Sequence, residues 1–336
     1  MRVAILAHGK FPDDAKTAVG ILQYGEHDVA AVLDRDRPGE RVCDFLPDVQ
    51  DAPIAGTIDD VEGPLDALIV GIAPIGGGFD ETWRPDVVGA LERGCDVIAG
   101  LHYFLADDEE FRALADEHGC ELRDVRRPPP DLTVAAGTAR EVDAEVVLTV
   151  GTDCSTGKMT ATMELVEAAR DRGWDAGFVP TGQTGAMIAG GGIVVDRTIS
   201  DFTAGAVERM VTERGDRDYL FVEGQGAITH PAYSAVTCGI LHGAMPDALV
   251  LCHEAGRDAI HGYESFPIPH PSTHVALYED LAAPVRGTEV VAGALNTRHV
   301  DDEAAAREAV ADFGDAIDAP ATDPVRFDVG EVLDAL

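Results

Sequence analysis

The segment Val147–Thr160 reads V-L-T-V-G-T-D-C-S-T-G-K-M-T: an apolar run feeds a loop bounded by glycines that closes on Gly157-Lys158. That arrangement is suited to wrapping a phosphate chain. Backbone N–H groups line the loop, the lysine neutralises the anion, and a hydroxyl directly after the lysine holds Mg²⁺. Two positions depart from the usual Gly-x-x-x-x-Gly-Lys-Ser/Thr spacing. Gly151 stands one residue early, so Thr152 takes the first position, and Met159 follows Lys158, with a hydroxyl only at Thr160. The candidate phosphate- and nucleotide-binding residues are therefore Gly151, Thr152, Asp153, Cys154, Ser155, Thr156, Gly157, Lys158, Met159 and Thr160. Cys154 reads as a small packing residue ahead of a nucleophile.

Composition gives that lysine weight. The chain has 61 Asp plus Glu against 25 Lys plus Arg, a net charge of −36, and its lysines are only Lys10, Lys16 and Lys158. Arginine replaces lysine on an acidic surface, as expected of a halophilic protein in a salt-accumulating cytoplasm, where carboxylates keep the surface hydrated. Such a chain repels nucleic acid and anionic membranes, so neither is an expected partner. No apolar run approaches the ~20 residues of a membrane span. The opening Met1–Ala7 has too short an apolar run for a signal peptide and reads as a strand. Six cysteines without a C-x-x-C pair fit a reducing cytoplasm.

The elements that position the loop alternate strand and helix, which predicts α/β architecture with mainly parallel sheets covered on both faces. Strands are expected at Val3–Ala7, Val29–Leu33, Leu68–Gly71, Val97–Ala99 and Leu122–Val125, with helices over Ala15–Tyr24, Val87–Arg93 and Glu109–His118. A second series follows the loop: a helix over Thr160–Arg172, a strand at Gly177–Pro180, a helix over Phe202–Glu213 capped by Asp201, and strands at Tyr219–Val222, Ala248–Cys252 and Glu289–Leu295. Three consecutive prolines after Arg127 interrupt the pattern. They suggest two three-layer domains: 1–130 as a Rossmann-like domain, 131–143 as linker, and 144–336 as the phosphate-loop domain. The first turn, A-H-G-K-F-P-D-D-A-K, lacks the Gly-x-Gly-x-x-Gly of dinucleotide sites, leaving only Asp34 at a ribose-like position. The Gly/Pro-rich stretches 182–192 and 261–271 are long for turns and read as site-lining segments.

Gly151 to Lys158 resembles the G-T-D-T-x-x-G-K loop of the dethiobiotin synthetase group of P-loop enzymes. Phe221-Val222-Glu223-Gly224-Gln225-Gly226 is similar to that group's V-E-G-x-G, whose acid helps hold Mg²⁺, so Thr160 and Glu223 are the implied ligands if Mg²⁺ is used. Ala292-Gly293-Ala294-Leu295-Asn296 resembles the late strand whose asparagine contacts adenine; a turn cap is the plainer reading of Asn296. With G-x6-K-T-A at Gly9–Ala18, G-L-H-Y-F-L-A-D-D at Gly100–Asp108 and V-P-T-G-Q-T-G at Val179–Gly185, nearly the whole chain resembles the D-glutamate N-acetyltransferase family, formerly a domain of unknown function. The resemblance implies acetyl transfer from acetyl-CoA to the amine of D-glutamate or a similar acidic amino acid, in D-amino-acid catabolism, on a P-loop NTPase-like domain diverted from nucleotide hydrolysis.

That chemistry needs a base for the amine and donors for the developing oxyanion. Lys158, Glu223 and His230 are the candidate catalytic residues, with Glu223 or His230 as the base. Thr181, Gly182, Gln183, Thr184, Gly185, Gly224 and Gln225 are candidates for substrate binding. His270 and His274 have i, i+4 spacing, but Pro271 and the absence of His-Glu-x-x-His favour loop histidines over a metal site. No Gly-x-Ser-x-Gly elbow points to a hydrolase. Two alternatives stand beside the acetyltransferase: an ATP- and Mg²⁺-dependent ligase or kinase activating a small carboxylate, and a nucleotide-responsive binding protein. A homo-oligomer is expected on frequency.

Overall fold

The computed structural model describes residues 1–74 and 76–336, which separate into two compact units. The first comprises Met1–Pro128 and Gln183–Arg197, the second Pro129–Gly182 and Thr198–Leu336.

In the first unit, β1 (Arg2–Leu6), α1 (Lys16–Tyr24), β2 (Asp28–Leu33), β3 (Ile54–Ala55), β4 (Ala67–Val70), α2 (Arg84–Glu92), β5 (Asp96–Ala99), α3 (Glu109–His118) and β6 (Leu122–Asp124) follow in chain order. The strands form one sheet in the order β3-β2-β1-β4-β5-β6, and all its pairings are parallel. Residues Val3–Leu6 and Ala67–Val70 are all buried. Strands covered on both faces read as continuous apolar runs for that reason.

The second unit opens with β7 (Glu145–Gly151), α4 (Lys158–Asp171) and β8 (Ala176–Val179). The next helix, α5 (Gln183–Ile188), belongs to the first unit, where it packs on α1. The stretch 182–192, read from sequence as a site-lining loop, thus contains a helix whose Thr184, Ala186, Met187 and Ile188 are buried. The second unit then continues with α6 (Thr203–Thr212), β9 (Tyr219–Val222), α7 (Ser234–Ala244), β10 (Ala248–Glu254), β11 (Ala259–Ile260), β12 (Tyr263–Pro267), α8 (Pro271–Ala282), β13 (Glu289–Asn296), α9 (Glu303–Ile317), β14 (Ala321–Thr322) and α10 (Gly330–Asp334). Its sheet runs β14-β13-β10-β7-β9-β8, again parallel throughout, while β11 and β12 form a separate antiparallel hairpin. The α/β reading with two mainly parallel sheets, Rossmann-like and P-loop NTPase-like, holds.

Local departures have simple causes. Asp201 does not cap α6; it lies in a tight 3₁₀ turn (Ser200–Phe202), and Phe202 takes the cap position without a side-chain bond. Pro271 starts a helix that sequence reading left as loop, because proline is preorganised at a first helical position; His270 caps it through Nδ1.

The proline-rich segment is tied down within the second unit. Buried Glu208 on α6 accepts the backbone N–H groups of Ala136 at 2.6 Å and Thr138 at 2.7 Å. Glu208→Ala leaves both donors without their charged acceptor and is expected to destabilise the protein by about 2–3 kcal/mol. A denaturation midpoint indistinguishable from wild type would show that the segment is held by something else.

Candidate functional site

β7 ends at Gly151 and the chain re-enters helix at Lys158, so the loop between them sits at the C-terminal edge of a parallel sheet. β7 lies between β10 and β9, and the site is built from the ends of these strands and their neighbours. Lys158 is buried; its Nζ donates to the Asp153 carbonyl at 2.7 Å and approaches Thr156 Oγ1 at 3.5 Å. Ser155 is exposed and adopts a left-handed φ of 55°, which is costly outside glycine and frequent where a loop is shaped for a ligand. Met159 points into the core and Thr160 is half-buried.

Side chains distant in sequence hold this loop. Tyr278 on α8, wholly buried, donates its hydroxyl to the Gly151 carbonyl at 2.7 Å and accepts the N–H of Ile228 at 3.1 Å. Burial pushes that phenol well above its ordinary pKa. Thr152 Oγ1 bonds His253 Nδ1 at 2.7 Å. Buried Asp153 accepts from Arg257 Nη1 at 3.1 Å, from the His261 N–H at 2.9 Å and from the Cys154 N–H at 2.7 Å. Arg257 in turn donates to the Cys154 carbonyl at 2.7 Å and to buried Glu254 at 2.6 Å. The sequence does not mark Tyr278, Arg257 and His253 as loop supports, since their contacts to the loop span a hundred residues or more and leave no local pattern.

The ends of β9 and β8 form one side of the site. Glu223 Oε2 accepts the backbone N–H groups of Thr181 at 3.1 Å and Gly182 at 3.0 Å, and Thr181 Oγ1 donates to the Glu223 carbonyl at 2.6 Å. Gln225 Nε2 donates to the Thr181 carbonyl at 2.6 Å. Gly224 donates its N–H to Thr149 Oγ1 at 3.1 Å, and a Cβ there would overlap the Thr149 carbonyl oxygen, so the backbone passes the P-loop strand as only glycine can. On the other side Asn296, the last residue of β13, places its side chain near Gly157 while its Oδ1 accepts the Arg298 N–H at 3.1 Å. The structure thus brings Thr181, Gly182, Glu223, Gly224, Gln225, the P-loop and Asn296 onto one edge. Gln183, Thr184 and Gly185 lie in the first unit.

His230 is buried in the loop after β9. Its Nδ1 accepts the N–H groups of Ala232 at 3.1 Å and Tyr233 at 3.2 Å, and its Nε2 lies 3.9 Å from Asp153. Burial lowers its pKa, with Lys158 adding to the shift and Asp153 opposing it. A neutral ring whose Nδ1 accepts hydrogen bonds carries its hydrogen on Nε2. That orientation makes His230 a donor toward the loop and opposes the base role read from sequence. It bears on metal binding too. Among the described residues, Asp153, Cys154 and His230 place possible ligand atoms within 4.8 Å of one another. A metal-bound histidine donates its second nitrogen's hydrogen to an acceptor, whereas His230 Nδ1 faces two donors, so this trio does not fit a metal ion. The pair with i, i+4 spacing has protein partners: His274 Nε2 bonds Thr229 at 3.0 Å, and His270 caps α8.

His253 offers a pH test. Burial, with His274 and Arg257 adding to it, lowers its pKa to about 4 from an ordinary 6.5. Between those values the unfolded chain binds more protons at this site than the folded protein, so stability falls as pH drops from about 6.5 toward about 4. His253→Gln is expected to flatten this decline in thermal melts; an unchanged slope would place the acid sensitivity elsewhere.

The matches to known proteins agree with this geometry. A family model described as the P-loop domain of a domain of unknown function, DUF1611, matches residues 133–333, and its companion, described as a Rossmann-like domain, matches residues 35–128. A D-glutamate N-acetyltransferase of Tritonibacter scottomollicae is 33% identical over 342 residues, covering 99% of this chain and 97% of that protein. One from a Pseudoalteromonas species is 34% identical over 267 residues, covering 79% and 80% respectively. Among solved structures, a DUF1611 family protein from Anabaena variabilis superposes with a TM-score of 0.93 at 39% identity, covering 99% of this chain and 98% of that one.

Proposed function

This chain belongs to the DUF1611 family, and from that premise we propose that it is an N-acetyltransferase carrying acetyl from acetyl-CoA to the amine of D-glutamate or a similar acidic amino acid. The two relatives bearing that activity in their names support the reading. The observation that carries it is the row of features along one edge of the sheet: Asn296 on β13, the P-loop after β7, Glu223 after β9 and Thr181-Gly182 after β8.

Acetyl-CoA is long, and the row has matching length. With the diphosphate on the loop and Lys158, the adenine end extends toward Asn296. The pantetheine arm is comparable to about four extended residues, a dozen or so Å. Strands lie about 4.8 Å apart, so β8 is about 10 Å from β7. The arm laid across β9 therefore brings the thioester to Thr181, Gly182 and Glu223. There the neutral amine nitrogen attacks the thioester carbon and the C–S bond breaks, the electron pair leaving on sulfur. Glu223, its carboxylate fixed by two backbone N–H groups, takes the proton that the amine loses and passes it to the departing sulfur, so CoA leaves as a thiol. His230, with its hydrogen on Nε2, belongs to the phosphate end as a donor.

Mg²⁺ held in the phosphoryl-transfer manner fits poorly. Met159 stands where the hydroxyl ligand belongs, and Glu223 Oε2 is engaged by the Thr181 and Gly182 N–H groups. No step of this mechanism uses the ion.

The test is thiol release from acetyl-CoA with D-glutamate, L-glutamate or no amine, beside phosphate release from ATP and Mg²⁺. Thiol release that requires D-glutamate and no ATP is expected. Lys158→Ala should weaken acetyl-CoA binding about tenfold or more, while Glu223→Gln should lower kcat about a hundredfold with acetyl-CoA affinity retained. Phosphate release without thiol release would instead establish an ATP-dependent ligase or kinase.

A further inference from the structure

The first unit has its own topological switch point, between β1 and β4, and ligands of open α/β sheets settle at the C-terminal edge there. A connected run of polar side chains lies along this edge. Thr17, in the first turn of α1, shares a 2.9 Å hydrogen bond with Thr184 and accepts Gln183 Nε2 at 3.2 Å. Gln183 Oε1 is buried and has no hydrogen-bond partner. It lies so close to Gly100 that a Cβ there would overlap it. A carbonyl oxygen left in this state is costly unless a donor arrives.

The same Gly100 leads to positive charge. Its carbonyl accepts Arg126 Nε at 2.6 Å, and the Arg126 guanidinium, itself buried, also pairs with Asp196. The next residue, Arg197, is exposed and donates to the His102 carbonyl at 3.2 Å. Arg126 and Arg197 thus both lie near His102, and one of the chain's three lysines, Lys16, opens α1 beside Thr17. After burial, Arg126 is the main cause that holds the His102 pKa down, with Arg197 adding to it. In a chain of net charge −36, three basic side chains gathered near an orphaned acceptor call for an anion that also carries a donor.

We propose that this edge of the first unit binds a small acidic amino acid, with Arg197, Arg126 and Lys16 meeting its carboxylates and Gln183 Oε1 accepting from its ammonium group. The identification of that ligand as the acetyl acceptor rests on the N-acetyltransferase reading; the binding itself does not. Calorimetric titration of D-glutamate, L-glutamate and glutarate, with and without CoA, tests it on wild type, Arg197→Gln and Gln183→Leu. Arg197→Gln should weaken D-glutamate binding about tenfold and raise its KM while leaving the KM for acetyl-CoA and the melting temperature unchanged. Gln183→Leu should weaken D-glutamate more than glutarate, which lacks the ammonium group.

Wild-type affinities and KM values in both variants would overturn the site even if thiol release confirmed the acetyltransferase. Binding that depends on Arg197 in a protein that releases no thiol would keep the site and sink the reaction. Absence of binding of all three acids to the wild type overturns the proposal outright.

Discussion

Lys158 takes its ammonium group into a position only 6% exposed to solvent, and a buried cation is costly unless carbonyls, hydroxyls or an anion meet it. Much of the second unit's edge follows from that requirement. The Asp153 carbonyl must turn inward to accept from Nζ, which turns the intervening N–H groups toward the space a phosphate would fill. A loop so arranged needs external bracing, supplied by Tyr278 at Gly151, His253 at Thr152 and Arg257 at Asp153 and Cys154. These braces come from β10, the segment after it and α8, so the loop's shape depends on packing across half the unit.

That dependence explains what the sequence could and could not disclose. The Gly-Lys spacing located the turn between β7 and α4, and the apolar runs located the buried strands, because both signals are local. Glu223 was visible as an acid at a strand end, but its bonds to Thr181 and Gly182, some forty residues away, were not. His230 shows the limit most clearly. Its identity suggested a base, while its surroundings, two backbone donors at Nδ1, settle which nitrogen bears the hydrogen. α8 was hidden because Pro271 among other prolines reads as a break, although at a helix start it is favourable.

Acidity is unevenly managed as well. Carboxylates beside the sites are mostly spent on named partners: Asp153 on Arg257, Glu254 on Arg257 and Arg298, Asp196 on Arg126. The electrostatic repulsion that so acidic a chain would direct at an incoming phosphate or carboxylate is thereby reduced where it matters.

The placement of α5 carries a consequence for how the protein is made. All six strands of the first sheet have left the ribosome by residue 124, yet that unit also includes residues 183–197, and residues 129–182 come between. Domains ordinarily complete themselves in order of synthesis. Here the earlier one must wait, with Thr17 lacking Thr184 and Gln183, until the central strand and phosphate loop of the later one have been translated. The two units are therefore interleaved in time, and a chain divided at the proline segment would leave the first without residues 183–197 while every residue of the second stays on the later fragment.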